Sequence, residues 1–162
     1  MSSVPPITLA IADREEGIAT LRKRLIRDDH GISVISQSAT SREAIGVVSR
    51  LAPRVLLCGF RLAAAENFLL PHSLRLQCPA TRILLLTNSA IEAARIIDAL
   101  AVGVRGYLDR EAPGLQLVDA IRCVDAGEVW VPRQMLGRIF DEIHARSQHG
   151  RFQSSGVHTS VH

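Results

Sequence analysis

The chain has 162 residues, enough for one domain of ordinary size and a short tail. Hydrophobic residues make up 47% and aromatics only 4%, so the core should be mostly Leu, Ile, Val and Ala. The net charge is +3 with no dense Lys/Arg run, too little to argue for a nucleic-acid surface by itself.

Residues 7–12 form a short apolar run, the pattern of a buried strand. Over 14–27 the period changes to helical, with Ile18, Leu21, Leu25 and Ile26 on one face and charges opposite. A second strand is expected at 32–36, after Gly31. A helix at 41–51 turns Ala44, Ile45, Val48 and Leu51 inward. The third strand is Val55 to Cys58, running into Gly59. A helix over about 67–76 must hold Pro71 in its first turn or kink there. The fourth strand is 82–86. The next helix is 91–100, with Gly103 as its stop. Residues 104–108 read as a fifth strand. Pro113 opens a helix through Asp125 with Leu117, Val118, Ile121 and Val124 apolar, and Gly127 ends it. A last amphipathic helix, 132–145, carries Leu136, Ile139, Phe140 and Ile143.

Five strand–helix units of this kind predict an α/β fold. Continuous apolar strands alternating with helices need a parallel sheet covered on both faces. Right-handed crossovers make it doubly wound, with its crevice at the carboxyl ends of the strands. Those ends carry Asp13 and Arg14, Gly59 to Arg61, Thr87 and Asn88, and Asp109 and Arg110. The expected division is a domain over 6–128, an extension helix over 129–146, and a disordered tail over 147–162. The tail has no periodicity, and its histidines are read as solvated rather than metal-binding.

Cys58, Cys78 and Cys123 lack any zinc-site spacing. Cys58 has no histidine at a suggestive spacing and is read as a core thiol, not a nucleophile. No signal-peptide pattern opens the chain, and no apolar stretch is long enough for a bilayer span, so a cytoplasmic setting is expected.

Several motifs together resemble the receiver domain of response regulators, of the subfamily usually followed by a LuxR-type helix-turn-helix. They are Ile11-Ala12-Asp13-Arg14, Leu84-Leu85-Leu86-Thr87, Gly103-Val104-Arg105-Gly106-Tyr107-Leu108, and Ala120-Ile121-Arg122 followed by Ala126-Gly127-Glu128-Val129-Trp130. The resemblance covers about residues 6–140. It implies a flavodoxin-like sheet of strand order 2-1-3-4-5. In that family the third strand ends in a phosphoacceptor aspartate, two further acids help hold magnesium, a lysine pairs with the acyl phosphate, and a hydroxyl and an aromatic relay the switch.

By that resemblance Gly59 stands at the phosphoacceptor position, with the aspartate lost. Arg14 replaces the second acid, Arg110 replaces the lysine, and Ala63 stands where a loop proline is usual. Asp13, Thr87 and the switch aromatic Tyr107 are retained. A hard divalent cation wants clustered oxygen anions, so the magnesium site is expected to be lost and no cofactor is expected. Two placements of Arg14 are open: paired with Asp13 in the metal position, or leaning into solvent. Thr87 is either a remnant switch or a hydroxyl bonded to a loop. Tyr107 is either a partner-surface aromatic or an edge tyrosine with its hydroxyl in water.

The expected function is a phosphorylation-independent pseudo-receiver, not an enzyme. It would act through a protein partner or a homodimer in transcription regulation, with the faces bearing Arg22, Arg24, Asp119 and Arg122 as working surface. One alternative is the receiver part of a DNA-binding regulator whose helix-turn-helix is absent from this chain. Direct DNA binding by these residues, or a membrane role, is not expected. Another is an anion- or nucleotide-sensing domain using Arg14 and Arg110; no Gly-rich phosphate loop supports it.

Overall fold

A computed structural model describes residues 4–27, 31–88 and 93–161, and the side chains of these except residues 15, 24, 26, 27 and 150–161. The expected helix start at Ile91 and the side chains of Arg24 and Ile26 lie outside the described residues.

The chain alternates β1 (Ile7–Ala12), α1 (Glu15–Arg27), β2 (Ile32–Ser38), α2 (Ser41–Leu51), β3 (Val55–Gly59), α3 (Phe60–Gln77), β4 (Arg82–Thr87), α4 (Ala93–Ala101), β5 (Gly106–Asp109) and α5 (Gly114–Asp125). The five strands form one parallel sheet in the order β2-β1-β3-β4-β5. This is the doubly wound α/β arrangement that the alternation implies. β3 is buried along its whole length, which its unbroken apolar run requires of a central strand.

Alternate strand residues feed two cores. Ala10, Leu56, Cys58, Ile83 and Leu85 pack under α2, α3 and α4. Leu9, Ile11, Val55, Leu57, Leu84 and Leu86 pack under α1 and α5. Ile18, Leu21 and Leu25 are buried on α1, and Leu117, Val118, Ile121 and Val124 on α5. Leu51 departs from its expected inward place and is 43% exposed, because it closes the last turn of α2 next to the left-handed cap Ala52.

The segment Phe60–Gln77 is broken rather than continuous. Ala65 is extended and Glu66, Asn67 and Phe68 are left-handed, with φ of 53°, 56° and 60°. The helix therefore restarts after Phe68 and places Pro71 in its first turn, where no amide partner is missed. The break folds Phe68 back edge-to-face on Phe60, with centroids 6.3 Å apart.

Beyond α5 the backbone adds an edge to the sheet. Tyr107 N donates to Trp130 O at 3.0 Å, and Trp130 N donates to Arg105 O at 3.0 Å. Gly106 permits this approach, since a Cβ there would overlap the Trp130 carbonyl. A 3-10 turn (Arg133–Met135) leads into α6 (Leu136–Val161). The helix thus runs past residue 146, where the sequence reading ends it. Ser147 to Ser160 contain no proline, and a glycine costs a helix only about 1 kcal/mol. Of the expected inner face of α6, Ile139 is buried, while Leu136, Phe140 and Ile143 are exposed.

Candidate functional site: the cleft at the strand ends

The carboxyl ends of β1, β3, β4 and β5 open into a cleft of about 1270 Å³. Asp13, Arg14, Gly17, Gly59, Arg61, Asn88 and Arg110 are among its lining residues. Asp13 follows β1 directly. Its amide donates to Ser38 O at 3.0 Å, which fixes the turn, and only 6% of its side chain is exposed.

Arg110 reaches Asp13 from the other side of the cleft. Its backbone amide donates to Thr87 O at 2.8 Å, so the residue is anchored to the end of β4. The Asp109 carboxylate accepts from Glu111 N at 2.8 Å and closes the turn behind it. From there the guanidinium folds inward. Nη1 donates to Asp13 Oδ2, and Nη2 donates to Asp13 Oδ1 at 3.2 Å. Both carboxylate oxygens are therefore engaged in a two-pronged, charge-assisted contact.

Two glycines make the room for this pair. A Cβ on Gly59 would stand 2.5 Å from Asp13 Oδ1 and 3.1 Å from Arg110 Nη2. A Cβ on Gly17 would overlap Asp13 Oδ2 and stand 3.0 Å from Arg110 Nη1. Gly59 has φ −62° and ψ 138°, which any residue adopts, so space rather than backbone freedom is what glycine supplies there. Gly17 escaped the sequence reading. Its one signal was a glycine inside the first turn of an otherwise ordinary amphipathic helix.

Arg14 does not occupy the metal position. Asp13 is buried at the bend that follows β1, and Arg14, the next residue, is exposed just before α1 begins. Its carbonyl accepts from Ile18 N at 3.0 Å in the opening turn of α1. The side chain that reaches Asp13 is Arg110.

Thr87 is buried and its hydroxyl donates to Leu108 O at 3.4 Å. Tyr107 is 5% exposed, so neither of its expected placements, on a partner surface or with its hydroxyl in water, is realised. Trp130 covers the edge strand, and the ring sits among Phe60, Leu85, Ile96, Ala99, Leu100 and Val104. Its hydroxyl finds no hydrogen-bond partner among the described residues, and the adjoining space is too narrow for a water molecule. Burial pushes this phenol up to about 12.

Cys58 is fully buried beside Gly59. Burial, aided by the Asp13 charge, pushes its thiol well above the ordinary range, the reverse of what a nucleophile needs. Among the described residues no group of three or more His, Cys, Asp or Glu could hold a metal ion. The cleft residues do not fit magnesium. Arg110 holds both oxygens of Asp13, and the other lining carboxylates, Glu16 and Glu111, are exposed and do not gather with it into a cation site. Among the described residues no helix is long and apolar enough to cross a membrane.

No family model matches the chain. Its sequence is 29% identical over 140 residues to the oxygen regulatory protein NreC of Staphylococcus aureus (strain JH9), covering 86% of this chain and 64% of the relative. Its fold superposes on a LuxR-family two-component response regulator from Aurantimonas sp. SI85-9A1 with a TM-score of 0.73. That match has 22% identity and covers 85% of this chain and 97% of the other. The chain is a homologue of the receiver domains of LuxR-family response regulators. A second structural match to this receiver is the isolated receiver domain of RcsB from Salmonella enterica serovar Typhimurium in the presence of phosphomimetic BeF3−. It has a TM-score of 0.67 and 18% identity, and it covers 79% of this chain and 94% of that one. The receiver spans just under two thirds of the length of the curated relatives it matches. The Asp13–Arg110 pair lies at the carboxyl ends of β1 and β5, over Gly59 at the end of β3.

Proposed function

We propose that this chain is a pseudo-receiver, a two-component signalling module that works without phosphorylation or magnesium. It acts in the cytoplasm by contact with a protein partner or with a second copy of itself, and its output is in transcription regulation. No residue of the cleft has a catalytic role in this reading. The observation that carries it is the Asp13–Arg110 pair seated in the space that a side chain at residue 59 would need.

The physical argument is one of substitution. A working pocket balances several carboxylates with a divalent cation and a lysine, and phosphoryl transfer depends on that arrangement of charge. Here one carboxylate is balanced by one guanidinium, with no acceptor and no cation needed. The remnant residues Asp13, Thr87, Arg110 and Tyr107 then hold a single arrangement of the strand ends rather than two.

Arg14 and Arg61, both exposed on the cleft rim, favour a second reading in which the cleft holds an anion or nucleotide. Glu16 and Glu111 lie on the same cleft and offset much of that positive field, so this reading ranks second.

One titration tests both. Amide NMR spectra of the full chain are recorded with magnesium, then with magnesium and beryllofluoride, then with phosphate and ATP. The pseudo-receiver reading expects no saturable shift at Asp13, Gly59, Thr87 or Arg110 in any step. Saturation with beryllofluoride and magnesium would restore a phosphoswitch and overturn it. Saturation with phosphate or ATP alone would replace it with the anion reading. Direct DNA binding by this chain is not proposed, and a titration across salt concentrations with no binding is the expected result.

A further inference from the structure

The last helix lies over α4, and its attachment is unlike the rest of the core. Of its described side chains only Ile139 is buried, entering the cluster that holds Ile96 and Ile97 of α4. The second attachment is polar. Arg146 Nη1 pairs with Asp98 at 3.0 Å, its Nη2 donates to the Ala94 carbonyl at 2.9 Å, and its Nε donates to Glu142 at 3.2 Å. Arg146 and Asp98 are each 40% exposed. Beside these anchors Leu136, Phe140 and Ile143 stand 39%, 65% and 48% exposed.

α4 itself has a separate hold on the cleft side. The Arg95 guanidinium lies 5.7 Å from the Phe60 ring centroid and 5.4 Å from that of Phe68. Phe60 directly follows Gly59. The helix is therefore tied to the segment leaving the pocket by Arg95 and to the C-terminal extension by Arg146 and Ile139.

We propose that α6 is a detachable strap over α4, docked by Ile139 and the Arg146–Asp98 pair and released as a unit without unfolding of the sheet. Docked, it covers the side of α4 that carries Ala94 and Asp98. Released, it uncovers that side together with its own Ile139. The device needs no phosphoryl chemistry, so it stands whether or not the pocket is dead. Local opening of this kind belongs to elements with few buried contacts and exposed polar links. An exposed ion pair is also weakened by salt, which makes the docking tunable.

Hydrogen exchange on the full chain, read by NMR, tests this. The α6 amides around Ile139–Glu142 should be protected, yet exchange faster than those of β3 and β4. Arg146→Ala should speed exchange in α6 and α4 by a factor of about two to five, the scale of an exposed ion pair, and leave the strands unchanged. High salt should act in the same direction on the wild type and not on the variant. The charge-reversed pair Asp98→Arg with Arg146→Asp should restore protection toward the wild-type level. Three results would overturn the proposal: α6 amides unprotected in the wild type, α6 exchanging only with the strands, or Arg146→Ala without effect.

Discussion

Arg110 grips Asp13 from the far side of the cleft, through both guanidinium nitrogens, above the bare backbone of Gly59. The two partners are buried unequally. Asp13 keeps 6% of its side-chain surface and Arg110 keeps 31%. Removing one partner strands the other, and the cost depends on which is left behind.

Arg110→Ala should therefore cost more than Asp13→Ala. The first leaves a carboxylate with almost no access to water, for a loss of about 3 kcal/mol, the low end for a broken buried pair because Arg110 is partly exposed. The second leaves an arginine that can swing out, for a loss of about 1 kcal/mol. Urea unfolding of the two variants measures both, and equal costs would show that the pair is not the source.

The two glycines predict a change of sign. A methyl on Gly17 removes a helix glycine, ordinarily a gain of up to about 1 kcal/mol. In this chain it overlaps the ion pair, so Gly17→Ala should destabilise by about 1–2 kcal/mol. In an Asp13→Ala background the overlap is gone, and the same change should stabilise. Gly59→Ala should show the same coupling to Asp13 by a double-mutant cycle.

Tyr107 is the one tyrosine of the chain, so its titration can be read directly in the near-ultraviolet. The folded phenol should ionise near 12 rather than near 10, because burial disfavours the phenolate. The unfolded chain then loses its proton first. Stability from this group is complete below about pH 10 and falls as pH rises from about 10 towards 12. Tyr107→Phe should abolish that fall. It should be neutral or slightly stabilising at pH 7, since the hydroxyl has no partner among the described residues. A loss above about 1 kcal/mol would mean the hydroxyl is bonded.

Glu66 is exposed and left-handed, a conformation that costs a residue with a side chain about 1–2 kcal/mol. Glycine removes that cost while losing some chain entropy. Glu66→Gly should raise the melting midpoint by a net gain of up to about 1 kcal/mol. A loss would show that the Glu66 side chain holds the break in α3.

Much of the architecture was legible along the chain because burial imposes periods. The unbroken Val55–Gly59 run needed a strand covered on both faces, and the faces of α1 and α5 followed the helical repeat. Gly103 and Gly127, with φ of 100° and 89°, end helices where the reading stops them. The break at Ala65–Phe68 carried little such signal, because Asn67 alone favours a left-handed conformation and its neighbours Glu66 and Phe68 do not. The path of α6 over α4 was also hidden. One buried isoleucine and one ion pair leave too little pattern to say which neighbour they meet.

The sequence by itself determined which groups end β1, β3 and β5: the carboxylate of Asp13 with Arg14 beside it, the bare Gly59, and Arg110 after Asp109. Which arginine reaches the carboxylate was left to the tertiary structure. Residue type sets charge and size, but a pair forms only where the backbone aims two side chains at one point. The bend at Asp13 leaves Arg14 exposed, while the anchor from Arg110 N to Thr87 O and the space over Gly17 and Gly59 bring Arg110 in. That geometry joins residues 13, 17, 59 and 110, and no local period of the chain encodes it.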